Sequence, residues 1–378
     1  MIKLIREILG REYIPLNKVL ISQKRLVQNY QYLKKLQKNL QIAPVLKSNA
    51  YGHGIIQVAK ILESQKPPMF CVDSLYEAHL LLKVRVKTPI LIMGYIHPTS
   101  LKVKKLPFSY AIFNSEQLEV VNRYQKGCQV HIKVDTGMHR LGVMMQDLPE
   151  FIEKLKDYKN IKVSGLMSHI AYQGSLKEKL SKKQLINFQK AASFLKEAGF
   201  ELKWLHLVAS GGVLAKDAAL VSKISNMARV GLGLYGIDLI DKHQKLKPVL
   251  KVTSKIVQIK RVEKGDKIGY SGTFICNREM LIGILPIGYN DGVDRNLSNK
   301  GFVIVADKPC PIIGNVSMNI TTVDLSSIKN PQVGQEAIIF SDNPIHSNSI
   351  ANAARIVDRI PYELLVNLSE TYLKREVI

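Results

Sequence analysis

Pro44-Val45-Leu46-Lys47-Ser48-Asn49-Ala50-Tyr51-Gly52-His53-Gly54 is the stretch from which the rest of the chain can be read. The apolar run at 42–46 has the length and composition of a buried strand. It delivers one lysine, Lys47, and then breaks into small, polar and glycine residues. A lysine directly after a core strand is costly unless its ammonium is paired, exposed or chemically used. The ordinary reading is a strand-end lysine that snorkels into solvent. The chemical reading needs partners elsewhere in the chain.

Working outward, short apolar runs alternate with helix-period stretches from about residue 42 to 236. Strands are predicted at 42–47, 69–73, 89–94, 110–114, 129–134, 163–169, 204–209 and 228–234. Helices are predicted between them at 55–62, 75–82, 116–123, 147–155, 183–198 and 212–220. Eight such units are the pattern of an α/β chain folded as a (β/α)8 TIM-like barrel. A doubly wound sheet is the alternative, but no Gly-x-Gly-x-x-Gly turn follows the first strand. Barrel enzymes work at the C-terminal ends of their strands. Lys47, then Lys133, Asp135 and Arg140, then His169, then Ser210-Gly211-Gly212, then Arg229 to Tyr235 all fall at or just past such ends.

Near residue 245 helical periodicity fades. Strands are predicted at 251–260, 280–286, 301–306, 312–314, 320–324 and 336–340, then a helix at 347–356 and a short tail. The expected organisation is a barrel domain over 1–245 and a smaller, mostly β domain over 246–378, with residues 1–15 a candidate to pack on the latter.

The totals agree with a folded enzyme-sized chain of 378 residues, 46% hydrophobic. The first nine residues are broken by charges and lack the apolar core of a signal peptide. No run approaches a membrane span, so a cytoplasmic protein with no membrane partner is expected. Cys71, Cys128, Cys276 and Cys310 lack metal-type spacing, so reduced thiols and no metal are expected. The net charge of +23 raises a nucleic-acid partner. The lysines are spread along the chain and not interleaved with aromatics, so solvated faces are the expectation, and no nucleic acid. A basic surface also steers anionic small molecules inward.

Five separated motifs then carry a resemblance. They are Lys-Ser-Asn-Ala-Tyr-Gly-His-Gly at 47–54, Lys-Val-Asp-Thr-Gly-Met-His-Arg-Leu-Gly at 133–142 and Ala-Arg-Val-Gly-Leu-Gly-Leu-Tyr-Gly at 228–236. Gly-Tyr-Ser-Gly-Thr-Phe at 269–274 and Leu-Pro-Ile-Gly-Tyr-Asn-Asp-Gly at 285–292 complete the set. In this order they resemble the alanine racemases, over nearly the whole chain. The resemblance implies pyridoxal 5'-phosphate (PLP) held covalently by Lys47, and interconversion of L- and D-alanine that supplies D-alanine to the bacterial cell wall. It implies two acid–base groups, Lys47 on one face of the substrate and Tyr270 on the other. Tyr270 would come from the second subunit of a head-to-tail homodimer. An unperturbed phenol titrates near about 10, so it needs help to act as a base; His169, with Arg229 behind it, is the matching relay. Arg229 would also donate to the pyridine nitrogen. Tyr51, Ser210, Tyr362 and the backbone N–H groups of Gly231 and Leu232 would hold the phosphate. Arg140 and the backbone of Met318 would bind the substrate carboxylate, and Lys133 matches a lysine that many members carboxylate. Tyr289, Asp291 and Arg295 resemble the substrate access path.

Taken alone these residues have plainer readings: a hairpin tyrosine at Tyr270, a structural ion pair at Arg229, a turn and N-cap at Ser210. The chain also departs from the pattern. Asn319 stands where an aspartate is usual, Asn315 where an arginine is expected, Gly174 where an acidic residue is expected, Ala209 for an asparagine and Val230 for a proline. The rival readings are a racemase of serine or another small amino acid, a PLP-dependent decarboxylase on the same fold, a non-catalytic PLP carrier, and a basic nucleic-acid binder.

Overall fold

The computed structural model describes residues 14–171, 175–215, 217–238 and 245–378. Contacts divide the chain into two compact units. One holds Lys24–Tyr51 and Ile55–Leu246; the other holds Gly52–Gly54, Lys247–Ile378 and the residues up to Gln23.

In the first unit the strands are Gln41–Pro44, Phe70–Val72, Ile90–Ile92, Phe108–Ile112, Gln129–Asp135, Lys162–Met167, Trp204–His206 and Met227–Val230. Consecutive strands from the second to the seventh pair in parallel. The first meets the second through the Val45–Cys71 bridge and the Leu46 N–H to Cys71 carbonyl bond of 2.8 Å. The eighth meets the seventh through Arg229 N–H to Val208 O at 3.0 Å, and it pairs in parallel with the first, Met227 opposite Gln41 and Arg229 opposite Ala43. That last pairing closes a ring, which an open doubly wound sheet cannot do. The strands read as unbroken apolar runs because both of their faces are covered; every residue of Phe70–Val72 and Ile90–Ile92 is buried.

The helices cover the ring with one apolar stripe each. Leu148–Asp157 buries Leu148, Phe151, Ile152 and Leu155, the spacing of one helical face. Leu75–Lys83 starts at a capping box between Ser74 and Glu77. The single helix expected at 212–220 is shorter, Ser210–Leu214, and is followed by a 3-10 turn at Ala218–Lys223.

Lys47 differs from its expected place. The first strand ends at Pro44, and Lys47 opens a left-handed turn in which Ser48, Asn49, Ala50 and Tyr51 have φ between 52° and 54°. Four consecutive non-glycine residues in this region cost roughly 1–2 kcal/mol each. The surroundings hold them there. The Glu77 Oε1 accepts the Ser48 N–H at 2.6 Å, and the Asn49 Oδ1 accepts the Ile55 N–H at 2.7 Å. Ala50 and Tyr51 are buried.

The second unit is mostly β. Its six-stranded sheet runs Lys308–Pro311, Phe302–Val305, Glu336–Phe340, Leu250–Lys255, Lys18–Ile21, Lys374–Val377, and a three-stranded sheet runs Gln258–Val262, Met280–Leu285, Thr321–Asp324. The strand expected at 251–260 is therefore two strands in two sheets. The tail is also a strand: Lys374–Val377 pairs in parallel with Lys18–Ile21. Its residues Lys374, Arg375 and Glu376 give no apolar alternation, so the pattern did not mark it. The expected strand at 312–314 reduces to one bridge, Ile312 to Val323, because Gly314 turns at φ +70°. The helix Ile350–Ile356 begins after its cap Ser349, and a further short helix spans Pro361–Val366. The four cysteines are buried and unpaired.

Candidate active site

The barrel unit gathers most of the expected residues at one mouth. Lys133 lies on the fifth strand and is nearly buried. Burial, then the charges of Arg229 and Arg140, pull its ammonium down to about 8; Asp73 opposes them and Lys47 adds to them. Its Nζ sits 5.8 Å from the centre of the Phe113 ring. Burial, then the charges of Arg229, Arg140, Lys133 and Lys47, hold His169 down at about 3, so its imidazole is neutral near pH 7. The charges of Lys47, Arg140 and Arg229 thus converge on Lys133 and on the neutral His169. Such a cluster has a strong preference for anionic ligands.

Asp135 shapes this mouth. Its Oδ1 accepts the N–H groups of Gly137, Met138 and His139 at 2.9, 2.9 and 3.1 Å, and its Oδ2 accepts that of Arg140 at 2.9 Å. Burial pushes the carboxyl up, but those four bonds outweigh it and hold it below the usual carboxylate range. The loop that presents Arg140 is wrapped around one carboxylate. The close approach of Gly142 seals the wrap, since a Cβ there would lie 2.4 Å from the Asp135 nitrogen.

Arg229 is 4% exposed, and both of its terminal nitrogens are engaged. Its Nη1 donates to the His206 carbonyl at 2.6 Å and to His206 Nδ1 at 2.8 Å; its Nη2 donates to the Ser168 carbonyl at 2.5 Å and lies 3.4 Å from His169 Nδ1. Burial lowers the guanidinium to about 10, which leaves it charged. Because arginine only donates, His206 Nδ1 must accept, and its Nε2–H must donate to His131 Nδ1 at 2.7 Å. The proton of His131 is then on Nε2, a buried N–H without a partner among the described residues. Burial and Arg229 hold both imidazoles neutral, His131 down at about 3. Neither histidine was singled out from sequence. The signal was there: Val130-His131-Ile132 and Leu205-His206-Leu207 each put a polar ring inside an apolar strand.

The eighth strand leads into the glycine segment at 231–233. Ser210 Oγ accepts the N–H groups of Gly231 and Gly233 at 3.1 and 3.2 Å, which leaves its own hydrogen to donate. A Cβ on Gly231 would fall 2.5 Å from the Tyr51 hydroxyl oxygen, so only glycine lets that phenol lie on this backbone. Tyr51 packs against Tyr235, ring centres 5.3 Å apart, and Tyr235 donates to the Val45 carbonyl at 2.9 Å. The turn after Lys47 and the exit of the last strand are therefore one packed surface.

In the other unit, Tyr270, Tyr289, Arg295, Asn315, Val316, Ser317 and Met318 line a cavity of about 550 Å³. Tyr270 is 72% exposed and Met318 56%. Asp291 does not belong to this lining: it is buried, and its Oδ2 accepts the Gly288 N–H at 2.9 Å to close its own turn. Tyr362 lies in the helix Pro361–Val366, half-buried, and burial pushes its phenol up. Gly174 lies outside the described residues.

The chain matches the family described as alanine racemase, N-terminal domain, over residues 21–238, and alanine racemase, C-terminal domain, over residues 249–376. The chain belongs to the alanine racemase family. It is 34% identical to the alanine racemase of Helicobacter pylori strain J99, over 88% of this chain and 91% of that one. It is 32% identical to that of Borreliella burgdorferi, over 95% and 96%. Among solved structures, the Bacillus anthracis alanine racemase with bound L-Ala-P superposes with a TM-score of 0.86 at 26% identity, covering 95% of this chain and 94% of that one. The Bartonella henselae alanine racemase with covalently bound pyridoxal phosphate superposes at 0.83 and 25% identity, covering 97% and 100%.

Alanine racemases depend on PLP, and the residues of the barrel mouth fit that group. A buried arginine presents donors only, a glycine-backed tyrosine and a serine carry hydroxyls of the kind a phosphate accepts from, and a lysine stands among cations. Among the described residues no helix is long and apolar enough to cross a membrane.

Proposed function

We propose that this chain interconverts L- and D-alanine by moving the α-hydrogen between two bases, in the cytoplasm, as a source of D-alanine for the cell wall. Bound PLP would supply the electron sink that makes the α-hydrogen acidic. Lys47 would hold the cofactor and would take or return the proton on one face. Tyr270 serves the other face from a second copy of the chain in a head-to-tail dimer. The proton lost from one face is replaced on the other, so the only net change is handedness.

Arg229 would donate to the pyridine nitrogen, and as a donor-only partner it would leave that nitrogen unprotonated, a weaker sink that would favour proton return over transamination. The neutral His169 is the relay to Tyr270. Tyr51, Ser210, Gly231, Leu232 and Tyr362 hold the phosphate. Arg140, aimed by the Asp135 wrap, and the Met318 backbone take the substrate carboxylate. Carboxylated Lys133 would turn a repulsive neighbour of Arg140 into an attractive one. The observation that supports this reading most is the convergence of Lys47, Lys133, Arg140 and Arg229 on one barrel mouth.

The purified protein should be yellow and should racemise alanine faster than serine, lysine or arginine. Lys47→Ala should abolish both the visible band and racemisation; retention of either overturns the assignment. Tyr270→Phe should slow both directions, and more severely the one that starts from L-alanine.

A further inference from the structure

Tyr270 stands in a turn that its own backbone does not favour. Gly269, Ser271 and Gly272 have φ of +69°, +62° and +53°, and Ser271 adopts this region without being glycine. With 72% of Tyr270 exposed, packing within the chain does not fix the phenol. Polar tethers fix the turn. Asn315 Nδ2 donates to the Tyr270 carbonyl at 2.9 Å. On the far side, Asn299 Oδ1 accepts the Gly314 N–H at 2.7 Å, while its Nδ2 donates to Thr273 Oγ1 at 3.2 Å. The backbones are also close: a Cβ on Gly314 would lie 2.7 Å from the Ile268 carbonyl oxygen. Two asparagines therefore bracket the four residues that carry Tyr270, and Asn315 lines the same cavity as Tyr270 and Met318.

We propose that Asn315 is the positioning residue of Tyr270, with Asn299 bracing the other flank of the turn. The inference rests on the reading of Tyr270 as the second acid–base group. An amide is suited to the task. It is short, so little side-chain freedom is lost in holding it, and it donates without placing a fixed charge beside a phenol that must gain and lose a proton. Where an arginine was expected, this chain has exchanged a cation on the access path for a neutral tether.

The test compares Asn315→Asp, Asn315→Ala, Asn299→Ala and Tyr270→Phe in the holoenzyme. Asn315→Asp keeps the shape but points a carboxylate oxygen at a carbonyl. It should lower kcat from L-alanine by about tenfold or more, as displaced acid–base groups do, with a smaller change in KM and an unaltered cofactor spectrum. The α-deuterium isotope effect should rise from L-alanine and not from D-alanine. Amide hydrogen exchange over 268–274 should quicken in both Asn315 variants, and less in Asn299→Ala. Because the two enantiomers are equal in free energy, kcat/KM must fall equally from both sides; unchanged exchange over 268–274, or an isotope effect from L-alanine no larger than the parent's, overturns the proposal while Tyr270→Phe still reports on Tyr270. Should Tyr270→Phe keep L-side α-proton exchange at the parent rate, the reading of Tyr270 falls and takes this proposal with it.

Discussion

The Glu77 carboxylate accepts the Ser48 N–H at 2.6 Å, and its other oxygen accepts the N–H groups of Asp73 and Ser74 at 2.8 and 3.2 Å. One side chain thus caps a helix and pins the first left-handed residue after Lys47. Glu77→Ala removes both tasks. A lost cap costs about 1 kcal/mol and a lost charged hydrogen bond about 1.5–3. The variant should melt lower by that sum and should lose cofactor on dialysis. Glu77→Gln keeps an acceptor and should keep most of both. A melting curve with the visible band as second readout decides; a Glu77→Ala protein that melts like the parent would place the compensation elsewhere.

Gly231 admits no side chain, because its Cβ would meet the Tyr51 hydroxyl oxygen and ring carbon Cζ at 2.5 and 2.8 Å. In Gly231→Ala the phenol must move off the glycine segment, at an overpacking cost of about 1–3 kcal/mol. PLP titration of the cofactor-free protein should show roughly tenfold or greater weakening. Gly233→Ala meets nothing nearer than 3.5 Å and should bind nearly normally. Equal behaviour of the two would detach the Tyr51 contact from cofactor binding.

Acid should destabilise the fold in a defined window. His131 and His169 titrate at about 3 when folded, against about 6.5 in an unfolded chain. As pH falls below 6.5 the unfolded chain takes up protons that the folded chain refuses. The stability gained by keeping them neutral is whole above about 6.5 and is lost as pH drops toward 3, at about 1.4 kcal/mol per pH unit for each histidine. His131→Asn keeps an acceptor for the His206 N–H and removes one titrating group. Its melting temperature should depend less steeply on pH between 6.5 and 4.5; the same slope as the parent would count against the buried neutral ring.

Lys133 at about 8 is roughly one-tenth neutral amine at pH 7. That amine can add to the carbon of CO2, forming an N–C bond and releasing a proton to solvent. The adduct is an anion among Arg140, Arg229 and Lys47, so those neighbours stabilise it. Carbon NMR with isotopically labelled bicarbonate should show one carbamate signal that Lys133→Ala lacks. That variant should also bind substrate carboxylate more weakly, seen as a raised KM. No signal in the parent protein would show that Arg140 is oriented by the Asp135 wrap without a carbamate.

Much of the barrel was legible because parallel strands buried on both faces announce themselves as apolar runs, and every one of the eight was found. Edges were not. Lys374–Val377 is charged, and its strand character comes from a partner at the other end of the chain, Lys18–Ile21. The residues that carry a distinctive chemistry at strand ends, Lys47, Lys133, Arg140, His169 and Arg229, were visible from position. The left-handed turn was hidden, since Ser48, Asn49, Ala50 and Tyr51 include no glycine to mark positive φ, and Glu77, which sustains it, lies in another segment. His131 and His206 show in the sequence as polar rings inside apolar strands, but their partners do not: His131 meets His206 and His206 meets Arg229, and only the pairing of distant strands side by side puts the three in line.

That closure also sets an order of events. The eighth strand, which carries Arg229, pairs with the first, which leads into Lys47, and contacts between segments so far apart in the chain are the slowest to form. A nascent or truncated chain that stops short of Met227 has the lysine but neither Arg229 nor Gly231 behind Tyr51. With the residue roles proposed above, tight capture of the cofactor would follow the last step of barrel assembly. Captured PLP would then draw the folding equilibrium toward the closed form by mass action, a latch on a ring that the polypeptide itself has only just shut.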